Sequence, residues 1–243
     1  MDLEAALEEQ ARAWVERPIV RELYGEWYRT ILSRLSPHPG RTIELGSGIG
    51  KLREYGGERV LLTDVEPTRW ADDVVDAMAM PYDDGTLANI VMLDVFHHLP
   101  DPVRFFHEAI RTLAPGGRVI MIEPYCSPIS TPLYRWFHHE RTDLQADPFG
   151  LDASIGSPME SNQARATLVF YRHRREFDRR FPDLNIRERR RFAFVLYPLS
   201  GGFTRPAVVP LRLAGPLRLL DRALRPLAPL LAFRCLIVLE RRS

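Results

Sequence analysis

Lysine is almost absent from this 243-residue chain: of its 33 basic residues, Lys51 alone is not arginine. Cysteine is scarce too, and the two present, Cys126 and Cys235, lie too far apart for a metal-binding spacing. A reducing cytoplasm is therefore the expected setting. No apolar run approaches the ~20 residues that cross a bilayer, and the opening Met-Asp-Leu-Glu-Ala-Ala-Leu-Glu-Glu is acidic where a signal peptide would be basic. The expectation is a cytoplasmic protein that at most touches the inner membrane surface. No internal repeat or low-complexity tract occurs. A net charge of +1 favours no particular partner in bulk. The sign is unevenly spread, with acids dominating up to residue 164 and arginines from 165 onward. Sign-complementary surfaces meeting inside the fold explain this, as does a basic face for an anionic ligand.

What is present starts at residues 42–50, Thr-Ile-Glu-Leu-Gly-Ser-Gly-Ile-Gly, followed fourteen residues after Gly50 by the end of Leu-Leu-Thr-Asp64. Gly46, Gly48 and Gly50 let a backbone turn sharply off a strand and approach a ligand closely. An acid at the end of the next strand, Asp64 with Val65 beside it, can accept hydrogen bonds from both hydroxyls of a ribose. The spacing is Gly-x-Gly-x-Gly, whereas a dinucleotide fingerprint needs Gly-x-Gly-x-x-Gly. Glu44 precedes the first glycine by two residues. Its carboxylate would repel a diphosphate and suits the ammonium of an amino-acid moiety, directly or through water. S-adenosylmethionine carries an ammonium, a sulfonium and a ribose, and no phosphate.

Three more features follow at matching distances. Asp76-Ala77-Met78 sits at the tip of a third strand, where a carboxylate can meet the exocyclic amine of adenine and small or apolar neighbours can flank the ring. Residues 88–99 form an apolar strand with a polar tip containing Asp94, His97 and His98. Residues 101–124 read as a capped helix, a Pro-Gly-Gly stop and a buried parallel strand ending in Glu123.

Over roughly residues 41–124 these motifs resemble the class I S-adenosylmethionine-dependent methyltransferases of the type 11 group. The resemblance implies an α/β, Rossmann-like seven-stranded, mostly parallel sheet with helices on both faces and an antiparallel last strand. It assigns Glu44, Gly46, Ser47, Gly48 and Gly50 to the glycine-rich motif, Asp64 to the ribose, and Asp76 with Ala77 to the adenine side. Asp94 and His98 fall in the loop after the fourth strand. The chain departs from the family in one respect: nine residues between Gly50 and Val60 leave room for one or two helical turns only.

A single methyltransferase domain over 1–243 is expected, in four stretches: an N-terminal helical cap (1–38), a cofactor-binding half (39–124), a lid and acceptor-site insertion (125–182) and C-terminal strands with a helical insertion (183–243). Helical spacing predicts helices over 2–17 and 19–35. Tyr24, Trp27 and Tyr28 line one side of the second, as core residues or as a cover for the cofactor, with Trp27 or Tyr28 facing the sulfonium. Residues 124–161 read as a long irregular lid, 161–180 as a helix, 184–197 as a strand, 207–232 as helical between prolines, and 235–240 as the final strand.

The acceptor side is expected just beyond the fifth strand, where Tyr134-Arg-Trp-Phe-His138-His139-Glu140-Arg-Thr-Asp143 begins the lid. Adjacent histidines rarely point at one ion and no partner stands at a structural spacing, so no metal is expected. His98, His138, His139 and Glu140 are the candidate catalytic residues. His98 is the favoured base, because an unperturbed imidazole titrates at about 6.5. The leucine- and arginine-rich stretch 210–233 is amphipathic, either packed on the sheet or lying at a membrane surface. The function expected is methyl transfer from S-adenosylmethionine to a small-molecule, glycan or lipid-linked acceptor, at oxygen. The alternatives are a catalytically silent binding or regulatory protein of the same fold and a nicotinamide oxidoreductase. Nucleic acid is not expected, since the arginines do not interleave with stacking aromatics.

Overall fold

Apolar runs supply the strands β1 (Arg41–Leu45), β2 (Val60–Asp64), β3 (Asp73–Val74), β4 (Leu87–Leu93), β5 (Leu113–Pro124), β6 (Leu184–Phe192) and β7 (Arg234–Arg241). They form one sheet in the order β3-β2-β1-β4-β5-β7-β6. Strands β1 to β5 run parallel, and β7 lies antiparallel between β5 and β6. The computed structural model describes residues 3–137, 140–157 and 160–242. The expected sheet is the one observed. Strand β4 is buried along nearly its whole length, as a central parallel strand covered on both faces must be.

On one face, helices α1 (Leu3–Glu16) and α2 (Pro18–Leu32) pack Trp14, Leu23 and Ile31 against Val91, Ile120 and Val238. On the other, α3 (Pro102–Thr112) lays Phe105 and Phe106 against Phe170, Phe177 and Phe181. The Asp101 side chain caps α3 by accepting from the Arg104 N–H at 3.0 Å, a bond worth about 1 kcal/mol. The two neighbours of β1 continue the sheet in opposite directions, which opens a crevice beyond the carboxyl ends of β1 and β4. After Gly50 there is a single 3₁₀ segment, Lys51–Tyr55, as the short spacing required.

Some expected bounds shift, each for a local reason. The stretch expected to be irregular contains α4 (Ser130–Phe137). Ser127 and Ser130 exchange side-chain-to-backbone bonds of 2.8 and 2.9 Å at its start, and Pro132 falls in the first turn, where proline is tolerated. The expected helix over 161–180 starts at Arg165 and passes through a π-turn at Leu168–Arg172, where the His173 N–H reaches the Leu168 carbonyl. Strand β6 stops at Phe192 because Ala193 turns left-handed at φ 62°. Between β6 and β7, the helix Ala214–Ala223 packs Leu217 inward, as does Leu224 just past its end, while Leu219 and Leu220 face out. Among the described residues, no helix is long and apolar enough to cross a membrane.

Candidate active site

Strand β1 ends at Leu45, and Gly46, Gly48 and Gly50 then take φ of 61°, 53° and 64°, in the left-handed region that glycine enters without steric cost. At Gly46 the need is also spatial: a Cβ there would stand 2.6 Å from Val95 Cγ2. The glycine bend and the loop after β4 are therefore in direct contact. Asp64, at the end of β2, accepts from the Gly48 N–H at 3.2 Å and from the Val65 N–H at 2.9 Å. The Val65 side chain itself is exposed. Burial raises the Asp64 carboxyl, against the pull of those two N–H groups.

Glu44 is buried beneath the bend. Burial first, and the nearby Asp64 second, hold its carboxyl well above the ordinary range. Glu44 Oε2 and Ser47 Oγ are buried and meet no hydrogen-bond partner among the described residues. A ligand bringing an ammonium and hydrogen-bonding groups to this bend would satisfy both atoms, and an amino-acid moiety has that chemistry. Asp76 is half-buried after β3 and accepts from the Met78 N–H at 2.8 Å, while Ala77 is buried beside it. The open cleft along α3, lined by Met80, Arg104, His107 and Arg111, shares only Met78 with this set, so it is a different place.

Asp94 follows β4 in a left-handed conformation, φ 61°. Its carboxylate is held by Arg234, with Nη2 3.1 Å from Oδ2, and by the Tyr24 hydroxyl at 3.5 Å. The expected cofactor contact is thus engaged within the protein, by an arginine that the sequence reading passed over. Trp27 faces the Arg234 guanidinium, 5.2 Å from its ring centre, and Tyr28 stacks on Tyr55. Tyr24, Trp27 and Tyr28 are core residues here, and the cation over Trp27 is an arginine where a sulfonium was considered.

The densest polar grouping lies beyond the ends of β4 and β5. Glu123, fully buried, accepts from the N–H groups of Val95 and Phe96 at 2.9 and 2.8 Å and from His97 Nδ1 at 2.6 Å. The lid folds back over these histidines. Asn162 N–H donates to the His97 carbonyl at 2.9 Å, Gln163 N–H to that of Arg141 at 3.0 Å, and Asp143 N–H to Asn162 Oδ1 at 3.0 Å. That stitching carries Glu140 to 3.5 Å from His97 Nε2 and 3.8 Å from His98 Nε2. Gln163 Nε2 donates to the Glu140 carboxylate, and His98 Nδ1 donates to the Glu160 carbonyl at 3.0 Å.

Burial lowers the proton affinity of His97, but the carboxylates of Glu123 and Glu140 outweigh it and raise its pKa to about 10. For His98, burial and the charge on His97 act together and lower the pKa to about 4. The near-neutral value that made His98 the favoured base therefore does not hold in this environment. His138 and His139 lie outside the described residues. His97 and Glu123 were not among the expected site residues, although an acid closing the apolar run Val119–Ile122 was a readable sign of a buried, partnered carboxylate.

A family model described as a methyltransferase domain matches residues 19–185. Tocopherol O-methyltransferase of Arabidopsis thaliana is 26% identical over 102 residues, covering 34% of this chain and 29% of that protein. The chain thus spans less than a third of that relative's length. Among solved structures, a geranyl diphosphate methyltransferase in complex with S-adenosylmethionine aligns with a TM-score of 0.53 at 18% identity, over 96% of this chain and 90% of that one. A S-adenosylmethionine-dependent methyltransferase from Archaeoglobus fulgidus aligns with a TM-score of 0.54 at 15% identity, over 91% and 94%. At such identities the structural likeness speaks for the fold, while the family match spans most of the chain. The chain belongs to the methyltransferase-domain family.

Proposed function

We propose that the protein transfers a methyl group from S-adenosylmethionine to a hydroxyl oxygen of a small-molecule acceptor. Family membership and the orphaned pair Glu44 Oε2 and Ser47 Oγ support the cofactor. Glu44 receives the ammonium, and the bend Gly46-Ser47-Gly48-Ile49-Gly50 wraps the amino-acid part. Asp64 takes the ribose hydroxyls, and Asp76, Ala77 and Met78 flank the adenine. Asp94 acts through Arg234, holding the loop after β4 rather than touching the ligand.

The bound cofactor supplies an activated methyl group and a neutral thioether leaving group, so the protein has to align the acceptor, exclude water and ease its deprotonation. The observation that carries oxygen as the target is the His97, His98 and Glu140 grouping beside the glycine bend. A hydroxyl docked there meets a carboxylate and an imidazole as its proton leaves and the oxygen–carbon bond forms. The curated relatives include both an O-methyltransferase and an N-methyltransferase, so the oxygen assignment rests on this grouping.

Calorimetric titration tests the cofactor. S-adenosylmethionine is expected to bind and NAD not, with Asp64→Asn weakening binding about 10- to 100-fold through the lost charged hydrogen bonds. Preferential heat from NAD would overturn the reading. Labelled cofactor incubated with extracts, followed by fragment mass spectrometry, locates the methyl group. A label on nitrogen or carbon sinks the oxygen assignment, and no transfer to any acceptor favours the catalytically silent alternative.

A further inference from the structure

The grouping beyond β4 and β5 has a geometry that proton transfer alone does not explain. The Glu160 carbonyl can only accept a hydrogen bond, so His98 carries its proton on Nδ1 and directs the bare Nε2 lone pair at Glu140, 3.8 Å away. Two electron-pair donors face each other across a distance too long for a hydrogen bond. His97 turns the same ring edge to Glu140, where a bound ion would take the place of the ring's second proton. Its Nδ1 is bound to Glu123 at 2.6 Å, and its Nε2 stands 3.5 Å from the other Glu140 oxygen. Ligand atoms of His97, His98 and Glu140 all lie within 4.8 Å of one another.

We propose that His97 Nε2, His98 Nε2 and the Glu140 carboxylate form a binding site for a divalent first-row transition-metal ion. Two imidazoles and one carboxylate are a donor set for zinc, iron or manganese rather than for magnesium or calcium, which prefer oxygen. Each ligand has the outer partner that metal sites require: the Glu123 carboxylate on His97 Nδ1, the Glu160 carbonyl on His98 Nδ1, and the Gln163 amide on Glu140. Such partners fix the tautomer and aim the remaining nitrogen. Metal–nitrogen bonds of about 2.0–2.1 Å around a tetrahedral ion put ligands ~3.4 Å apart. The observed separations need only a small inward rotation of His98 and Glu140, whose side chains are 22% and 11% exposed. Three protein ligands leave at least one position of a tetrahedral ion for an outside group.

The adjacency of His97 and His98 counts against a shared ion in an extended segment. Here both lie in the 3₁₀ turn Phe96–His98, with ring centres 4.2 Å apart and planes inclined by 42°. The third ligand comes from 42 residues further on, carried in by the Asn162 stitching. In its role, though not in its existence, the site rests on the methyltransferase reading. On that reading an acceptor hydroxyl binds an open position, the ion lowers its pKa, its proton passes to solvent, and the bound oxygen is ready to accept the methyl group.

The test is titration of chelator-treated full-length protein with Co²⁺, followed by visible d–d absorption, with Zn²⁺ as competitor. One equivalent is expected to bind in the wild type and to be displaced by Zn²⁺. Glu140→Gln and His98→Asn, both partly exposed, are each expected to weaken Co²⁺ at least tenfold. S-adenosylmethionine binding, measured separately by calorimetry, is expected to stay within twofold in both variants. No Co²⁺ spectrum in the wild type overturns the site, as does an unchanged spectrum and affinity in either variant. Because metal and cofactor are read independently, failure of the site leaves the cofactor reading standing, and the reverse holds too.

Discussion

Arg234 grips Asp94 with both terminal guanidinium nitrogens, Nη2 lying 3.1 Å from Oδ2, and so ties the start of β7 to the turn after β4. The same guanidinium lies over the rings of Tyr197 and Trp27 at 4.6 and 5.2 Å. One cation thus joins the N-terminal cap, the C-terminal insertion and the loop beside the glycine bend.

Removing that cation strands a carboxylate whose side chain is only 27% exposed. Arg234→Met is expected to cost about 3 kcal/mol, the low end for a broken buried pair because Asp94 keeps some solvent. Asp94→Asn in the same chain should restore at least about 1 kcal/mol, since the two positions are coupled. Urea unfolding of the two single variants and the double variant reads this directly, and simple additivity would refute the coupling.

Gly46 and Gly202 both hold left-handed φ, 61° and 55°, yet their surroundings differ. An alanine Cβ at 202 meets nothing within 4 Å, whereas at 46 it meets Val95 Cγ2 at 2.6 Å. Gly202→Ala should therefore cost only backbone strain, ~1–2 kcal/mol. Gly46→Ala should cost clearly more and also weaken cofactor binding. Thermal unfolding of both variants decides it, and equal losses would mean that the contact between the bend and Val95 yields easily.

Burial pushes the Cys126 thiol up to about 12 and that of Cys235 well above its ordinary value. Thiolate is the reacting form, so at pH 8 both cysteines stay protonated and shielded. A thiol reagent is expected to label neither in the native protein and both after denaturation. The sign for stability follows from folded pKa values raised above the unfolded one. The contribution is complete below about 8.5, the ordinary thiol value, and is lost as pH rises from there toward 12. Rapid labelling of native protein at pH 8 would contradict the burial.

Legibility along the chain followed the range of the interactions. The glycine bend could be read because its demands are local, on φ and on the absence of a Cβ. Asp64 could be read because a strand end places its own side chain, and its bond to the Gly48 N–H keeps it facing the bend. Helix α4 was obscured because prolines 128 and 132 read as breakers, while the two serines that cap it act only once the chain has turned. The partner of Asp94 could not be read for a different reason: nothing near it in sequence announces an arginine 140 residues away. Of the arginines past residue 164, Arg218 closes on Glu22 and Glu26 across the fold at 2.8 and 2.6 Å, as sign-complementary surfaces would.

The positions of the strands, of the bend and of its acids were determined by the amino-acid sequence itself, because runs of apolar residues and glycine spacing act over a few neighbouring positions. Which histidines meet which carboxylate was decided only in three dimensions. Glu140 lies 42 residues beyond His98 in sequence, and Asn162 and Gln163 hydrogen-bond its segment over His97 and His98. Bonds between distant backbone groups, satisfied only when the lid packs down, choose that partner, and no local pattern encodes them.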